Sequence, residues 1–216
     1  MATAPARPFS IARLEGRRLI GLKGLLWALL LFPIARVVYA GFTDALGPNP
    51  QETIQRSTGW WTLALLCITL CITPLRRLTG WPWWLRLRRL LGLFAFFYAT
   101  LHLLTWAWWD QAFVIGDMWH DFIKRPFITV GIAAYALMVL LAATSPRFMS
   151  RRLGGRRWQA LHRTIYLAVS LGALHYWWMR SAKNNLFEPS VFAAIVAALL
   201  AVRLFWAIRA RVSRAR

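Results

Sequence analysis

The sequence predicts an all-α polytopic membrane protein, a helical bundle with six transmembrane helices and both termini in the cytoplasm. Three observations support this fold class. The 216 residues are 59% hydrophobic and include 14 tryptophans, which is more apolar than a soluble domain of this size. Long apolar runs alternate with arginine clusters, and the segments between the runs are too short to form a soluble domain. The arginine clusters lie on alternate connections, as a bundle with an even number of spans requires.

Six apolar runs are long enough to cross the hydrocarbon core of a bilayer, which needs about 20 apolar residues. We predict spans at residues 20–41, 58–75, 90–109, 126–144, 159–178 and 190–208. They divide the chain into an N-terminal cytoplasmic tail (1–19), a six-helix transmembrane domain (20–208) and a basic cytoplasmic tail (209–216). The first run resembles a secretory signal, but Arg36 lies between its apolar core and the Ala40 cleavage position. We therefore interpret it as the first helix.

The charged residues predict the orientation of the bundle. Arginine clusters precede the first span, follow the second, separate the fourth from the fifth and follow the sixth. Six of the seven acidic residues lie on the other connections: Asp44, Glu52, Asp110, Asp117, Asp121 and Glu188. Because Lys and Arg on short loops face the cytoplasm, we place the acidic loops in the periplasm of a Gram-negative bacterium. The net charge of +20 then indicates contact with anionic membrane lipid rather than with nucleic acid.

Two histidines fall deep within predicted spans, where ionisable side chains are costly and usually functional. At 1.5 Å per residue, His102 lies about 18 Å from the inner end of the third span, and His175 lies about 24 Å along the fifth. Both imidazoles are therefore expected at one level in the outer half of the membrane. Facing imidazoles on two helices suit a haem whose iron takes a nitrogen on each side.

A non-haem zinc or copper site is less favoured, because it would usually need a third or fourth ligand at the same level. The predicted spans contain no Asp or Glu, and Cys67 and Cys71 lie on another helix, where we interpret them as small packing residues. The absence of acids from the spans also argues against a proton path or a transporter.

Three further residues have alternative interpretations. His162, about 20 Å from His175 along the chain, is an interface histidine, a haem ligand with an unusual partner, or part of an electron-entry site. A second bis-histidine pair is not expected, since Arg89 stands 13 residues before His102. His120, beside two aspartates, is predicted to be a solvated loop residue. Arg36 either pairs with a haem propionate or extends its charged end to water.

Six segments, taken in order and spacing, resemble a known family. They are GPNPQETIQRSTGWW, TPLRR, RRLLGLFAFFYATLHLL, DFIKRPFITVG, TSPRFMSRRLGGRRWQALHRTIYL and LHYWW. Together they resemble the MsrQ (YedZ) family, haem-binding membrane subunits of a periplasmic methionine sulfoxide reductase system within the ferric-reductase-like transmembrane group. The resemblance extends from about residue 20 to residue 208.

The resemblance implies an electron-transfer subunit of the bacterial inner membrane that binds haem b. Such a subunit passes electrons from the quinone pool, or from a cytosolic flavin reductase, to a periplasmic molybdopterin-containing methionine sulfoxide reductase that repairs oxidised proteins. The reduction of the sulfoxide takes place on that partner, so we expect no catalytic residue here. The family's histidines fall on His102, His162 and His175. FMN is implied by the resemblance alone, since the sequence contains no glycine-rich phosphate loop.

Two other functions fit the same helices. One is a cytochrome b that serves ferric iron or another oxidoreductase, because ligand histidines do not specify the electron acceptor. The other is a redox-inactive scaffold of a membrane complex, which would have the same spans but no colour.

Overall fold

A computed structural model describes residues 16–181 and 184–215, so most of the predicted N-terminal tail lies outside the described residues. The described part of the chain is helical, with short connections and no strand. The helices are α1 Arg17–Phe42, α2 Pro50–Thr79, α3 Trp84–Thr105, α4 Ile115–Lys124, α5 Pro126–Ala143, α6 Arg147–Leu153, α7 Gly155–His162, α8 Ile165–Ser181 and α9 Phe187–Ala215. A π-helical turn, Trp106–Asp110, extends α3.

Among the described residues, five helices are long and apolar enough to cross a membrane: α1, α2, α3 with its π-helical turn, α5 and α9. They correspond to five of the six predicted spans, so the described chain is all-helical and multi-pass. The fifth predicted span, 159–178, is divided instead between α7 and the 17-residue α8. The division has a local cause. The backbone N–H and the hydroxyl of Thr164 both bond to the carbonyl of Leu161, which tightens the chain at this point.

Of the described helices, α2 and α9 extend furthest beyond the predicted spans. α2 begins at Pro50, eight residues before the predicted span, because the Asn49 side chain accepts a hydrogen bond from the backbone N–H of Glu52 and Pro50 occupies the first helical position; both features favour a helix start. α2 ends at Thr79, and the following residue, Gly80, caps the helix in a left-handed conformation. α9 continues to Ala215, so most of the residues predicted as a C-terminal tail are helical.

Four helices form a closed ring at the centre of the bundle. α2 packs along α3, α5 packs along α8, and contacts between α3 and α5 and between α2 and α8 complete the ring. α3 and α8 are therefore diagonally opposed. α1 packs on the outside of α2, and α9 packs against α2 and α8. The core contains mainly residues of α2, α3 and α8, including Leu65, Leu70, Ala95, Tyr98, Ala168 and Val169.

An arginine inside the last predicted span has a structural role that the apolar pattern did not indicate. Pro74 has no backbone N–H, so it cannot donate to the carbonyl of Leu70 four residues earlier. Arg203 of α9 donates to that carbonyl, and its second terminal nitrogen donates to Leu199 at 3.0 Å. Proline in α2 and arginine in α9 thus complement each other across a helix interface.

The two ends of the bundle differ in charge. Every Asp and Glu among the described residues lies at the end of the bundle formed by the C-terminus of α1, the N-terminus of α2, the π-helical turn, α4 and the N-terminus of α9. The arginines of α6 and α7 and the C-terminal arginines of α2 and α9 lie at the opposite end. This distribution agrees with the alternation predicted from sequence. We call the two ends the acidic end and the basic end.

Candidate functional site

The structure brings His102 and His175 together inside the four-helix ring. Their ring centroids are 6.1 Å apart, and the ring planes are inclined at 79°. His102 lies near the C-terminus of α3 and His175 near the C-terminus of α8, both half-buried. Because these two helices occupy diagonal corners, the imidazoles meet across the centre of the ring. The sequence prediction that the two histidines lie at one level of the bundle agrees with this separation.

Each imidazole is held by a backbone carbonyl on a neighbouring helix. Nδ1 of His102 bonds to the carbonyl oxygen of Gln55 in α2 at 3.0 Å, and Nδ1 of His175 bonds to that of Phe127 in α5 at 2.6 Å. Since a carbonyl oxygen only accepts, Nδ1 carries the proton in both rings. Each Nε2 therefore keeps its lone pair for a metal ion, with the ring orientation set by the Nδ1 bond.

Glycines make room for both rings. A β-carbon at Gly59 of α2 would lie 3.0 Å from Cε1 of His102, and one at Gly131 of α5 would lie 2.8 Å from Nδ1 of His175. The helices that supply the carbonyls therefore approach the imidazoles more closely than any larger residue would allow. Sequence reasoning missed these two glycines, although a lone glycine inside an apolar helical run indicates a close approach.

The residues present fit a bis-histidine haem. Two imidazoles that bind one iron at nitrogen–metal distances of about 2 Å hold their ring centres roughly 6 Å apart, close to the separation of His102 and His175. Within the described ranges, no three His, Cys, Asp or Glu side chains converge as a metal-binding cluster. The site therefore offers two neutral nitrogen ligands in an apolar interior, which suits an iron whose other ligands come from a porphyrin.

Polar networks cover the site at the acidic end. The amides of Gln51 and Gln55 both donate to the carboxylate of Asp110, which ties the N-terminus of α2 to the π-helical turn that follows His102. A second network centres on the buried Asp121, which accepts hydrogen bonds from Gln111 at 2.7 Å and from the Trp106 indole at 3.4 Å.

Asp121 also forms an ion pair with Arg125 at 2.9 Å. This carboxylate thereby fastens α4 across the end of α3 and the start of α5. From the sequence, Asp121 was expected to be an acidic residue of a periplasmic connection, beside the solvated His120. Its role needed the tertiary contacts with Trp106 and Gln111, because the spacing alone does not bring these side chains together.

The remaining predicted residues lie away from the two imidazoles. His162, at the end of α7, stacks on Trp158 with ring centroids 3.9 Å apart, and its buried Nδ1 has no hydrogen-bond partner in the described part of the chain. His120 is exposed on α4, as expected for a solvated residue. Arg36 is exposed on α1, which is not one of the four ring helices. Cys67 and Cys71 are free thiols in α2, in agreement with a packing role.

Comparisons with known proteins identify the family. The model of the ferric reductase like transmembrane component matches residues 58–173, a range that includes His102 and His162 and ends two residues before His175. A protein-methionine-sulfoxide reductase heme-binding subunit MsrQ from Herminiimonas arsenicoxydans is 54% identical over 186 residues, covering 86% of this chain and 85% of the relative.

Relatives with the same description cover similar lengths. The protein from Ralstonia nicotianae is 55% identical over 180 residues, 83% of each chain. The protein from Bordetella pertussis is 49% identical over 200 residues, 93% of this chain and 94% of the relative. All three relatives are bacterial proteins with the same description, and each aligns with 83% or more of this chain. This chain therefore belongs to the MsrQ family, within the ferric reductase-like transmembrane group.

Proposed function

We propose that this chain is a membrane b-type cytochrome that passes electrons to a periplasmic molybdopterin-containing methionine sulfoxide reductase. The observation that carries the proposal is the pair of imidazoles, His102 and His175, whose ring centroids lie 6.1 Å apart and whose Nδ1 atoms each bond to a backbone carbonyl, so that both Nε2 atoms are left for a metal ion. The relatives are described as heme-binding subunits of protein-methionine-sulfoxide reductase, and this description supports the same cofactor and partner here.

In this proposal, His102 and His175 bind the iron of haem b. Haem iron supplies a one-electron carrier when it is bound. The carbonyls of Gln55 and Phe127 keep the two imidazoles in one tautomer and orientation, so the rings do not have to reorient when the charge of the site changes. The apolar side chains of the ring helices exclude water, which contributes to setting the reduction potential.

The proposed topology has six spans and two cytoplasmic termini. α8 has 17 residues, about 25 Å of helix, and α7 lengthens this crossing at the basic end. With α8 as a span, the arginine clusters all lie on one side of the membrane, where short basic loops favour the cytoplasm. The acidic end then faces the periplasm, and the two imidazoles lie nearer to that face than to the cytoplasm.

The remaining parts of the proposal rest on the family. The electron donor is the quinone pool or a cytosolic flavin reductase, and the location is the bacterial inner membrane. FMN is proposed as a second cofactor without an assigned site. His162 is proposed as a further haem ligand and Arg36 as a propionate partner, although neither lies beside the two facing imidazoles. The sulfoxide is reduced on the partner, so this chain supplies electrons and no catalytic side chain.

The visible spectrum of the purified protein tests the haem ligands. We expect His102→Ala and His175→Ala each to remove the main reduced-haem absorbance, because each leaves the iron with one protein ligand. His120→Ala is the matched control, since this exposed histidine lies outside the four-helix ring, and its spectrum should equal that of the unaltered protein. Full absorbance in both His102→Ala and His175→Ala would exclude this ligand pair.

An electron-acceptor assay tests the partner. The reduced cytochrome is mixed anaerobically with the molybdopterin subunit and methionine sulfoxide, and in a parallel sample with a ferric chelate alone. We expect rapid oxidation in the first sample, faster than in the second. The match to the ferric reductase like component makes ferric iron the alternative acceptor. Preferential oxidation by the ferric chelate would support that alternative.

A further inference from the structure

The carbonyl that orients His102 lies close to a helix end. It belongs to Gln55, which is in the second turn of α2, and it accepts the hydrogen bond from Nδ1 at 3.0 Å. The first N–H groups of a helix have no partner within the helix, and helix ends fray more readily than helix centres. The orientation of the imidazole therefore depends on how firmly the N-terminal turns of α2 are held.

The carboxylate of Asp110, at the end of the π-helical turn, holds these turns of α2 in place. The side-chain amide of Gln51 donates to Oδ1 of Asp110 at 2.5 Å, and the amide of Gln55, one helical turn later, donates to Oδ2 at 3.5 Å. A negative charge beside the N-terminus of a helix is also favoured by the helix dipole. Asp110 therefore restrains the start of α2 through hydrogen bonds and through its charge.

The π-helical turn brings Asp110 to the side of α3 that faces α2. Asp110 follows His102 by eight residues, which in a regular α-helix would place it about 80° further around the axis. Residues Trp106–Asp110 form a π-helical turn instead, in which each hydrogen bond spans five residues rather than four. The wider turn rotates Asp110 back towards the face that carries His102. Single π-helical turns inside α-helices are frequent at functional sites.

Gln55 is bonded to both Asp110 and His102, through different groups. Its side-chain amide donates to the carboxylate, and its main-chain carbonyl accepts from the imidazole. These two bonds and the chain from His102 to Asp110 form a closed loop between α2 and α3. A shift of Gln55 away from Asp110 would therefore also shift the carbonyl relative to the imidazole.

We propose that Asp110 and Gln55 are positioning residues that hold His102 in its orientation as a haem ligand. The inference rests on the proposed function, because it concerns one of the two proposed ligands. The hydrogen bond between Asp110 and Gln55 keeps the carbonyl on Nδ1, and a firm bond at Nδ1 fixes the ring and makes Nε2 more basic. A more basic ligand favours ferric over ferrous iron. Weakening the restraint should therefore raise the reduction potential of the haem and speed its loss.

Gln55→Ala tests the restraint without changing any charge, since the backbone carbonyl at this position remains. The full-length protein is purified with its haem, and three properties are measured: the rate of haem loss, the reduction potential and the g values of the oxidised haem. The g values depend on the orientation of the imidazole planes. We expect haem loss to be roughly tenfold faster, the potential to rise and the g values to shift.

Asp110→Asn should change the same properties in the same direction, because it weakens the same hydrogen bond. The double variant Gln55→Ala/Asp110→Asn should show little more than the larger of the two single effects. Asp117→Asn is the matched control, since it makes the same replacement at an exposed position of the acidic end, and it should resemble the unaltered protein. A higher potential in Asp110→Asn with no change in Gln55→Ala would show that Asp110 acts only through its charge, and would overturn the proposal.

His102→Ala, measured in the same series, separates this inference from the ligand assignment. If His102→Ala loses the main haem signal while Gln55→Ala and Asp110→Asn match the unaltered protein, His102 is a ligand and the positioning role is wrong. If His102→Ala keeps the full signal, the ligand assignment is wrong and the positioning role with it. Helix content by circular dichroism shows that each variant is folded.

Discussion

Gly131 of α5 leaves no space for a β-carbon beside His175, since such an atom would lie 2.8 Å from Nδ1 and 3.0 Å from Cε1 of the imidazole. The same ring donates its Nδ1 proton to the carbonyl of Phe127, one helical turn earlier in α5. One helix therefore both holds the imidazole and restricts its position. The close contact makes this glycine part of the site even though it has no side chain.

Gly131→Ala should displace the His175 ring and weaken haem retention. The added methyl group must push the imidazole away, and overpacking of this kind costs about 1–3 kcal/mol. Haem content per protein and the position of the reduced absorbance bands measure the effect. Gly172→Ala in α8 is the control, because its β-carbon would make only an ordinary contact, 3.6 Å from Leu63. If both variants retain haem equally, the close approach of α5 has no functional role.

Asp121→Asn should loosen α4 from the end of the bundle. The change removes the negative charge that pairs with Arg125, and it leaves one acceptor oxygen in place of the two carboxylate oxygens that bond to Arg125, Gln111 and Trp106. Loss of buried hydrogen bonds to a charged group costs about 1–3 kcal/mol. Faster hydrogen–deuterium exchange in residues 115–124 is the expected result. Asp117→Asn, in the same helix but exposed, should leave the exchange unchanged. Equal exchange in both variants would show that the bonds of Asp121 do not hold α4 in place.

The pairing of Pro74 with Arg203 can be measured by a double-mutant cycle. Arg203→Met should destabilise the protein because the carbonyl of Leu70 loses its donor. In a Pro74→Ala background, the backbone N–H of residue 74 can donate to that carbonyl, so Arg203→Met should cost less. We expect a coupling energy of about 0.5–3 kcal/mol between the two positions, measured as free energies of unfolding. Strict additivity would show that Leu70 does not link these residues.

The proposed topology predicts opposite accessibility of the two ends. In a variant with Cys67 and Cys71 replaced by Ala, single cysteines are introduced at the exposed Ala45 or Ala210. A membrane-impermeant maleimide should label Ala45→Cys in intact spheroplasts, since residue 45 belongs to the acidic end. Ala210→Cys, at the basic end, should react only after permeabilisation. The reverse labelling pattern would show that the bundle has the opposite orientation in the membrane. Labelling of both cysteines in intact spheroplasts would contradict an even number of spans.

The sequence by itself determined the all-helical class, most of the membrane-spanning segments and the level shared by His102 and His175. These features depend on the lengths of the apolar runs and the order of the charged residues, which can be read from the sequence, and on the constant rise per residue of an α-helix. The fifth predicted span is divided where Thr164 bonds to the carbonyl of Leu161 through both its backbone N–H and its hydroxyl group. The sequence could not show this division, because the bonding leaves the apolar pattern unchanged.

Only the tertiary structure decided how the helices surround the imidazoles. The carbonyl of Phe127 that orients His175, the close approach of Gly131, and the hydrogen bond from Arg203 to the carbonyl of Leu70 join residues that are far apart in the chain. Such contacts depend on which helices are neighbours and on how each is rotated about its axis. Several arrangements bury the same apolar surface, so hydropathy does not distinguish among them; side-chain packing and the pairing of buried polar groups select one.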